Sequence, residues 1–295
     1  MKILLFGKNG QVGWELQRSL APLGKVIALD RASTNLCGDL TRPEDLAETV
    51  RSVCPDVVVN AAAHTAVDRA EAEPELAHAV NAVAAGVLAR EAATLGAWTV
   101  HYSSDYVFDG SGSRPWRETD TPAPLNVYGR TKLEGERLVA AMNPRHLIFR
   151  TSWVYAARGG NFARTMLRLA AERDRLTVVD DQFGAPTGAD LLADVTAHAV
   201  RAAHHRPAVP AGVYHLAAAG RTSWHGYARF VIDYAARLRG PLRCLQVDPV
   251  PSSAFTTPAR RPLNSCLDTT RLRNALDLHL PPWQDGVERM LRETL

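Results

Sequence analysis

Lysine is scarce in this sequence. Among 34 basic residues only Lys2, Lys8, Lys25 and Lys132 are lysines. The arginine bias reads mainly as GC-rich codon usage, and it singles out each lysine that remains. Cysteine is scarce too: Cys37, Cys54, Cys244 and Cys266 are widely scattered and form no C-x-x-C pair. That spacing suggests neither a zinc site nor a disulfide framework and leaves reduced, partly buried thiols. No uninterrupted apolar run approaches the roughly eighteen residues of a membrane span. The apolar start from Met1 to Phe6 stops at Gly7, too short for a signal segment. The expectation is a chain with no membrane partner that stays in the cytoplasm. Charge excess is also missing. A net charge of +3, with no basic run and no arginine-aromatic stripe, gives no support for nucleic acid as a partner.

What is present is ordinary globular material, 46% hydrophobic and 22% charged. A length of 295 residues suits one large α/β unit or a nucleotide-binding domain with a smaller lobe. The first half alternates short apolar runs with amphipathic segments, the pattern of repeated βαβ units. Strands are expected at 2–6, 25–29, 57–60, 98–103 and 146–151, and helices at 11–23, 43–54, 74–95 and 128–142. A helix at 161–172 and a strand at 212–216 continue the alternation. Proline-rich stretches at 206–210, 249–251, 257–262 and 280–282 read as loops or turns. The fold class is therefore α/β: a Rossmann-type doubly wound parallel sheet with a smaller mixed α/β substrate-binding lobe. The expected division is 1–152 for the dinucleotide-binding domain and 153–295 mostly for the lobe, with elements near 161–175 and 212–236 returning to the first domain.

Directly after the first strand stands Gly7-Lys8-Asn9-Gly10-Gln11-Val12-Gly13, followed by an apolar-periodic helix. Gly7 permits a tight turn, Gly10 lets backbone approach a pyrophosphate, and Gly13 lets the helix pack closely on the strand. The helix N-terminus supplies amide donors and the positive end of the dipole. A P-loop is excluded because the G-K-[ST] ending is absent. Asp30 follows the second strand, at the distance where an acid meets the adenosine ribose 2′-hydroxyl, which favours NADH. Arg31 beside it and Lys8 in the turn can neutralise a 2′-phosphate, which favours NADPH. The two signals conflict.

Tyr128-Gly129-Arg130-Thr131-Lys132 places a tyrosine and a lysine four residues apart, on one helix face. Carbonyl reduction needs a proton donor to the oxygen that receives negative charge as hydride arrives. A phenol titrates near pH ~10. A lysine ammonium one turn away stabilises its anion and makes it a better donor, and can also hold the nicotinamide ribose. Ser103 and Ser104 leave a strand at its carboxyl end, where a parallel sheet binds ligands. Ser104 is the expected partner for the substrate carbonyl. The small residues in Asn60-Ala61-Ala62-Ala63-His64-Thr65 let backbone approach the coenzyme, and His64 reads as a loop histidine.

Together these residues resemble the extended short-chain dehydrogenase/reductase superfamily, and within it the enzymes that reduce keto groups of nucleotide-linked deoxysugars. The resemblance spans essentially the whole chain. It rests on residues 7–13, Asp30, 37–40, 60–68, 103–110, 128–135, 151–155, 181–187 and 261–265, with Ser104-Asp105-Tyr106-Val107-Phe108-Asp109-Gly110, Trp153 and 182–187 as the most discriminating runs. It implies reduction of the 4-keto group of dTDP-4-dehydro-β-L-rhamnose to dTDP-L-rhamnose, with NADPH and often NADH as coenzyme. It implies Tyr128 as proton donor, Lys132 as its electrostatic partner, and Ser104 where the family usually has threonine. Coenzyme contacts fall on Gly10, Gln11, Val12, Asp30, Asp39, Leu40, Ala62, Ala63 and Thr65, and contacts with the nucleotide-sugar substrate on Ser104, Asp105 and Trp153. Some members form a magnesium-linked homodimer in which acids from both subunits surround the ion, and the matching positions are Glu15, Asp190 and Glu293, with an aspartate in place of one glutamate. Arginines of the second lobe, such as Arg260 and Arg261, can pair with substrate phosphates. A related 4-keto-6-deoxyhexose, a non-catalytic NADP-binding regulatory subunit, and the superfamily's epimerases and dehydratases stay open as alternatives.

Overall fold

The computed structural model describes residues 1–205 and 210–295, so most of the turn expected at 206–210 lies outside the described residues. The chain runs β1 (Lys2–Phe6), α1 (Gln11–Leu20), β2 (Lys25–Leu29), α2 (Pro43–Val53), β3 (Val57–Asn60), α3 (Val67–Ala72), α4 (Pro74–His78), α5 (Ala84–Thr94), β4 (Trp98–Ser104), α6 (Val127–Met142) and β5 (His146–Thr151). It continues through β6 (Val154–Tyr155), α7 (Phe162–Glu172), β7 (Arg175–Val179), β8 (Phe183–Gly184), β9 (Thr187–Gly188), α8 (Ala189–His205), β10 (Gly212–His215), β11 (Thr222–Ser223), α9 (Trp224–Arg239), β12 (Gln246–Val250), α10 (Thr270–Leu276) and α11 (Trp283–Thr294).

Six strands form the main sheet in the order β10-β5-β4-β3-β1-β2, every neighbour parallel. The inner strands read as continuous apolar runs because helices cover both faces. Ile3, Leu4, Leu5, Val57, Val58 and Val59 are all fully buried. Ile3 and Leu5 face one layer with Leu16 and Leu20 of α1, while Leu4 and Phe6 face the other with Leu46, Val50 and Leu88. The strand order reverses between β1 and β3, which opens a crevice at their carboxyl ends.

The five expected strands of the first half stand where the sequence places them. The helix expected over 11–23 ends at Leu20, and a single 3-10 turn carries it to Gly24, where φ is +154°. The helix expected over 74–95 is three segments, with a π-helical stretch, Ala79–Val83, between α4 and α5. Helix α8, absent from the sequence reading, lays Leu192, Val195, Ala199 and Val200 against α1 and the main sheet. Of the two expected returns, the one over 212–236 is met only at 212–215, which enter the main sheet as its sixth strand beside β5, while α9 packs in the second lobe. Residues 162–172 do not enter it. Helix α7 packs on α9 and β7, and its Ala163 and Met166 join Tyr227, Val231, Trp283 and Val287 in a separate apolar cluster. The stripe that looked ready for the sheet is satisfied by that aromatic-rich lobe. Among the described residues no helix is long and apolar enough to cross a membrane, and all four cysteines are free.

Candidate active site

The crevice is a cavity of about 910 Å³ lined from every strand end of the main sheet except β10. Gly7, Asp30, Ala61, Ser104 and Ser152 mark the exits of β1, β2, β3, β4 and β5, and all five line it. A cavity this size suits an extended dinucleotide together with a substrate.

Its floor is the turn after β1. Gly7 holds φ +89°, and a Cβ there would stand 2.7 Å from the Ala62 nitrogen. A Cβ on Gly13 would stand 2.0 Å from the Gly7 carbonyl oxygen, so helix and strand approach only because both residues are glycine. Gly10 is the N-cap of α1 and no side chain caps the helix. The first amides of α1 are therefore left to an outside acceptor, which fits a diphosphate. Gly10, Gln11 and Val12 line the cavity; Gly13 supports it from behind.

Beyond the turn, Asp30 accepts from the Ser33 hydroxyl at 2.9 Å and from the Ala32 N–H at 3.1 Å. The Ser33 hydroxyl, with Lys8 nearby, holds its carboxyl below the usual range. Asp30 thus stands ionised at the cavity rim, able to accept from a hydroxyl. Arg31 is largely exposed and reaches Asp39 at 3.5 Å, so a cation sits at the same rim. Asp39, Leu40, Ala62, Ala63, His64 and Thr65 complete this wall. The loop after β3 is pinned from outside: Asn81, in the π-helical stretch, accepts from the His64 N–H at 2.9 Å and donates to the His64 carbonyl at 3.2 Å and to Thr131 of α6 at 3.1 Å. A π-turn re-aims one residue from the helical ladder, and here that residue is Asn81. Sequence reasoning missed it.

Tyr128, Lys132, Ser104, Asp105 and Trp153 all face the cavity. Asn126 starts α6 by accepting from the Gly129 N–H at 2.8 Å. Burial leads in pushing the Tyr128 phenol up to about 12, with Ser104 within hydrogen-bonding reach working the other way. Lys132 donates to the Tyr102 carbonyl and lies 3.5 Å from His101 Nε2. Burial pulls its ammonium down to about 8. The expected acidification of Tyr128 by Lys132 is thus not a feature of this arrangement. The two share a helix face, but the ammonium is drawn toward the carboxyl end of β4 by a backbone carbonyl, and Ser104 is the group that favours the phenolate. Burial also pushes the Asp105 carboxyl up to about 6.

Trp153 sits in the left-handed region at φ +49°, a costly conformation for a bulky residue. Its ring stacks on Trp224, centroids 3.6 Å apart, and both rings line the cavity. Trp224 and Arg158 are wall residues that sequence reasoning did not find, because 224 and 158 arrive from the second lobe. Arg260 and Arg261 are not in the wall; Arg261 is tied to Asp68 at 2.6 Å.

Within one chain, the acids expected around a magnesium ion shared between subunits pair with arginines. Glu15 pairs with Arg18 at 3.4 Å, and Asp190 and Glu293 are bridged by Arg289, at 3.6 and 3.1 Å. Among the described residues no group of three or more His, Cys, Asp or Glu side chains is arranged to hold a metal.

The doubly wound sheet and its glycine-floored crevice define a Rossmann-type oxidoreductase of the extended short-chain dehydrogenase/reductase class. The chain belongs to the RmlD substrate binding domain family, whose model matches residues 1–295. It is 59% identical over 293 residues to the dTDP-4-dehydrorhamnose reductase of Escherichia coli (strain K12), covering 99% of this chain and 98% of that protein. It is 51% identical over 300 residues to the reductase of the same name from Burkholderia thailandensis, covering 100% and 99%. Among solved structures, the dTDP-4-dehydrorhamnose reductase of Bacillus anthracis in complex with NADP superimposes with a TM-score of 0.90 at 34% identity, covering 99% of each chain.

Proposed function

We propose that this protein reduces the 4-keto group of dTDP-4-dehydro-β-L-rhamnose to dTDP-L-rhamnose. It is an NAD(P)H-dependent oxidoreductase, and near-full-length relatives at 59% identity are named dTDP-4-dehydrorhamnose reductase. The observation that carries the reading is one cavity in which an uncapped helix start, at Gly10, and a half-buried phenol, Tyr128, face the same space. NADPH is the preferred coenzyme in this reading, since a relative binds NADP and Arg31 with Lys8 stands at the ribose end. When bound, the coenzyme supplies the hydride.

The chain's own residues do the rest. The α1 amides hold the diphosphate, Asp30 and Arg31 the adenosine ribose end, and Lys132 the second ribose. Tyr128 gives its proton to the C4 oxygen. Its high resting value keeps that proton in place until negative charge develops on the substrate, when a matched acceptor appears. Ser104 directs the Tyr128 hydroxyl toward the carbonyl, and Trp153 binds the sugar. The lobe built on α7, α9 and α11 closes the substrate side. A homodimer belongs to the same proposal and is read by light scattering as twice the chain's mass.

The test is NADPH oxidation with the keto sugar as second substrate. Tyr128→Phe is expected to lower kcat by about 10²–10⁴, the usual range for a lost proton donor. Turnover of that variant within a few-fold of the parent defeats the assignment.

A further inference from the structure

At the carboxyl end of β4, three groups share one hydroxyl. Ser104 Oγ donates to Asp105 Oδ1 at 2.9 Å, accepts from the Tyr106 N–H at 3.1 Å, and lies within hydrogen-bonding reach of the Tyr128 phenol. A hydroxyl carries one proton and two lone pairs. The Tyr106 amide fills one lone pair, so one proton and one lone pair remain for Asp105 and Tyr128. If one neighbour takes the proton, the other must donate.

The two protonation states of Asp105 therefore give opposite chains. A carboxylate can only accept, so Ser104 donates to it and Tyr128 must spend its own proton on Ser104. A carboxylic acid donates to Ser104, Ser104 then donates to Tyr128, and the phenolic proton is free for a substrate oxygen. We propose that Asp105 is a positioning residue that, through Ser104, sets the direction of the Tyr128 hydroxyl and so decides when its proton is available to substrate. The proposal rests on the reading of Tyr128 as proton donor.

The surroundings suit such a switch. Asp105 is 2% exposed, and its Oδ2 is buried without a hydrogen-bond partner, although Ser265 lies beside the carboxyl. Burial pushes the carboxyl up to about 6, against Ser265 and Ser104, which favour the charged form. The groups that face it are Tyr128 from α6, Tyr106 on its own turn, and Ser265 and Cys266 from the segment before α10. Burial raises both Tyr106 and the Cys266 thiol, so both are neutral near pH 7. The cations nearby are turned elsewhere: Arg261 acts on Tyr106, Arg221 on Cys266, and Lys132 is held by the Tyr102 carbonyl.

The protons balance. As hydride from the coenzyme reaches the carbonyl carbon, the Tyr128 O–H bond breaks and a new O–H bond forms on the sugar oxygen. Ser104, held in that direction by the Asp105 acid, donates a hydrogen bond to the phenolate left behind, and the phenolate takes a proton from water before the next turnover.

The experiment is the pH profile of kcat for the holoenzyme with NADPH and the keto sugar, in the parent and in Asp105→Asn. The proton-bearing form is the active one, so the parent is expected to hold its rate below the Asp105 titration and lose it as pH rises. The asparagine amide donates to Ser104 permanently and does not titrate. Asp105→Asn is thus expected to lose that limb, so that its kcat no longer falls as pH rises over that range. Persistence of the limb at the same pH, or a fall of more than about 100-fold at every pH with KM unchanged, overturns the proposal. Carbon-13 titration of aspartate carboxyls in the parent reads the switch without any variant: a buried carboxyl titrating well above the ordinary aspartate range supports it, and none doing so overturns it. Failure of the underlying reading is distinct, because it shows as an active Tyr128→Phe.

Discussion

Tyr128 and Lys132 are four residues apart, and that spacing alone gives them a common helix face. It does not say where the lysine points. Lys132 turns to the Tyr102 carbonyl, whereas Tyr128 answers to Ser104. The direction of a long side chain depends on the strand beneath it, which no local spacing encodes. Residues whose role follows from local geometry, such as Gly7, Gly10 and Asp30, were legible for the same reason that Asn81 and Trp224 were not. Asn81 owes its role to a π-turn, and Trp224 meets Trp153 only through the packing of the second lobe. At this scale the account predicts that Ser104→Thr keeps kcat within a few-fold, since the hydroxyl is retained. Ser104→Ala removes the group that directs the Tyr128 hydroxyl and links it to Asp105, and is expected to lower kcat by about 10²-fold in steady-state assays. An alanine variant as fast as the parent contradicts it.

Among the elements, the strands of the first half were legible because they are short, apolar and bounded by glycine or polar turns. Helix α8 carried a readable signal in Leu192, Val195, Thr196, Ala199 and Val200, all buried at helical spacing. Helix α7 carried an equally clear stripe, but periodicity names a buried face without naming its partner, and the partner is the second lobe. The phosphate-binding turn makes the sharpest prediction. Gly13→Ala drives a methyl into the Gly7 carbonyl. It is expected to destabilise the protein by at least ~2 kcal/mol in denaturant unfolding, as overpacking against backbone does, and to weaken NADPH binding. A variant with unchanged midpoint and affinity shows that strand and helix have room to part.

At the scale of the whole molecule, the fold class was legible and the closure of the main sheet was only partly so. Residues 212–215 supply the sixth strand, and α8 covers α1, so the second half of the chain completes the first. The cavity draws on both apolar clusters, with Ser104 from the sheet and Trp224 from the lobe. A coenzyme bound there holds the parts together. At about 100 times its Kd, NADPH is expected to add about 2.7 kcal/mol, raising Tm by about 5 °C. No shift at saturating NADPH contradicts a coenzyme site in this crevice. The most direct measurement follows the hydride itself. NADPH carrying deuterium at the transferred position of C4 is incubated with the protein and dTDP-4-dehydro-β-L-rhamnose, and the sugar product is read by NMR. The account predicts dTDP-L-rhamnose with deuterium at C4 of the sugar, one label for each coenzyme oxidised. Coenzyme oxidised with no deuterium in the sugar, or a labelled product of the opposite configuration at C4, contradicts it.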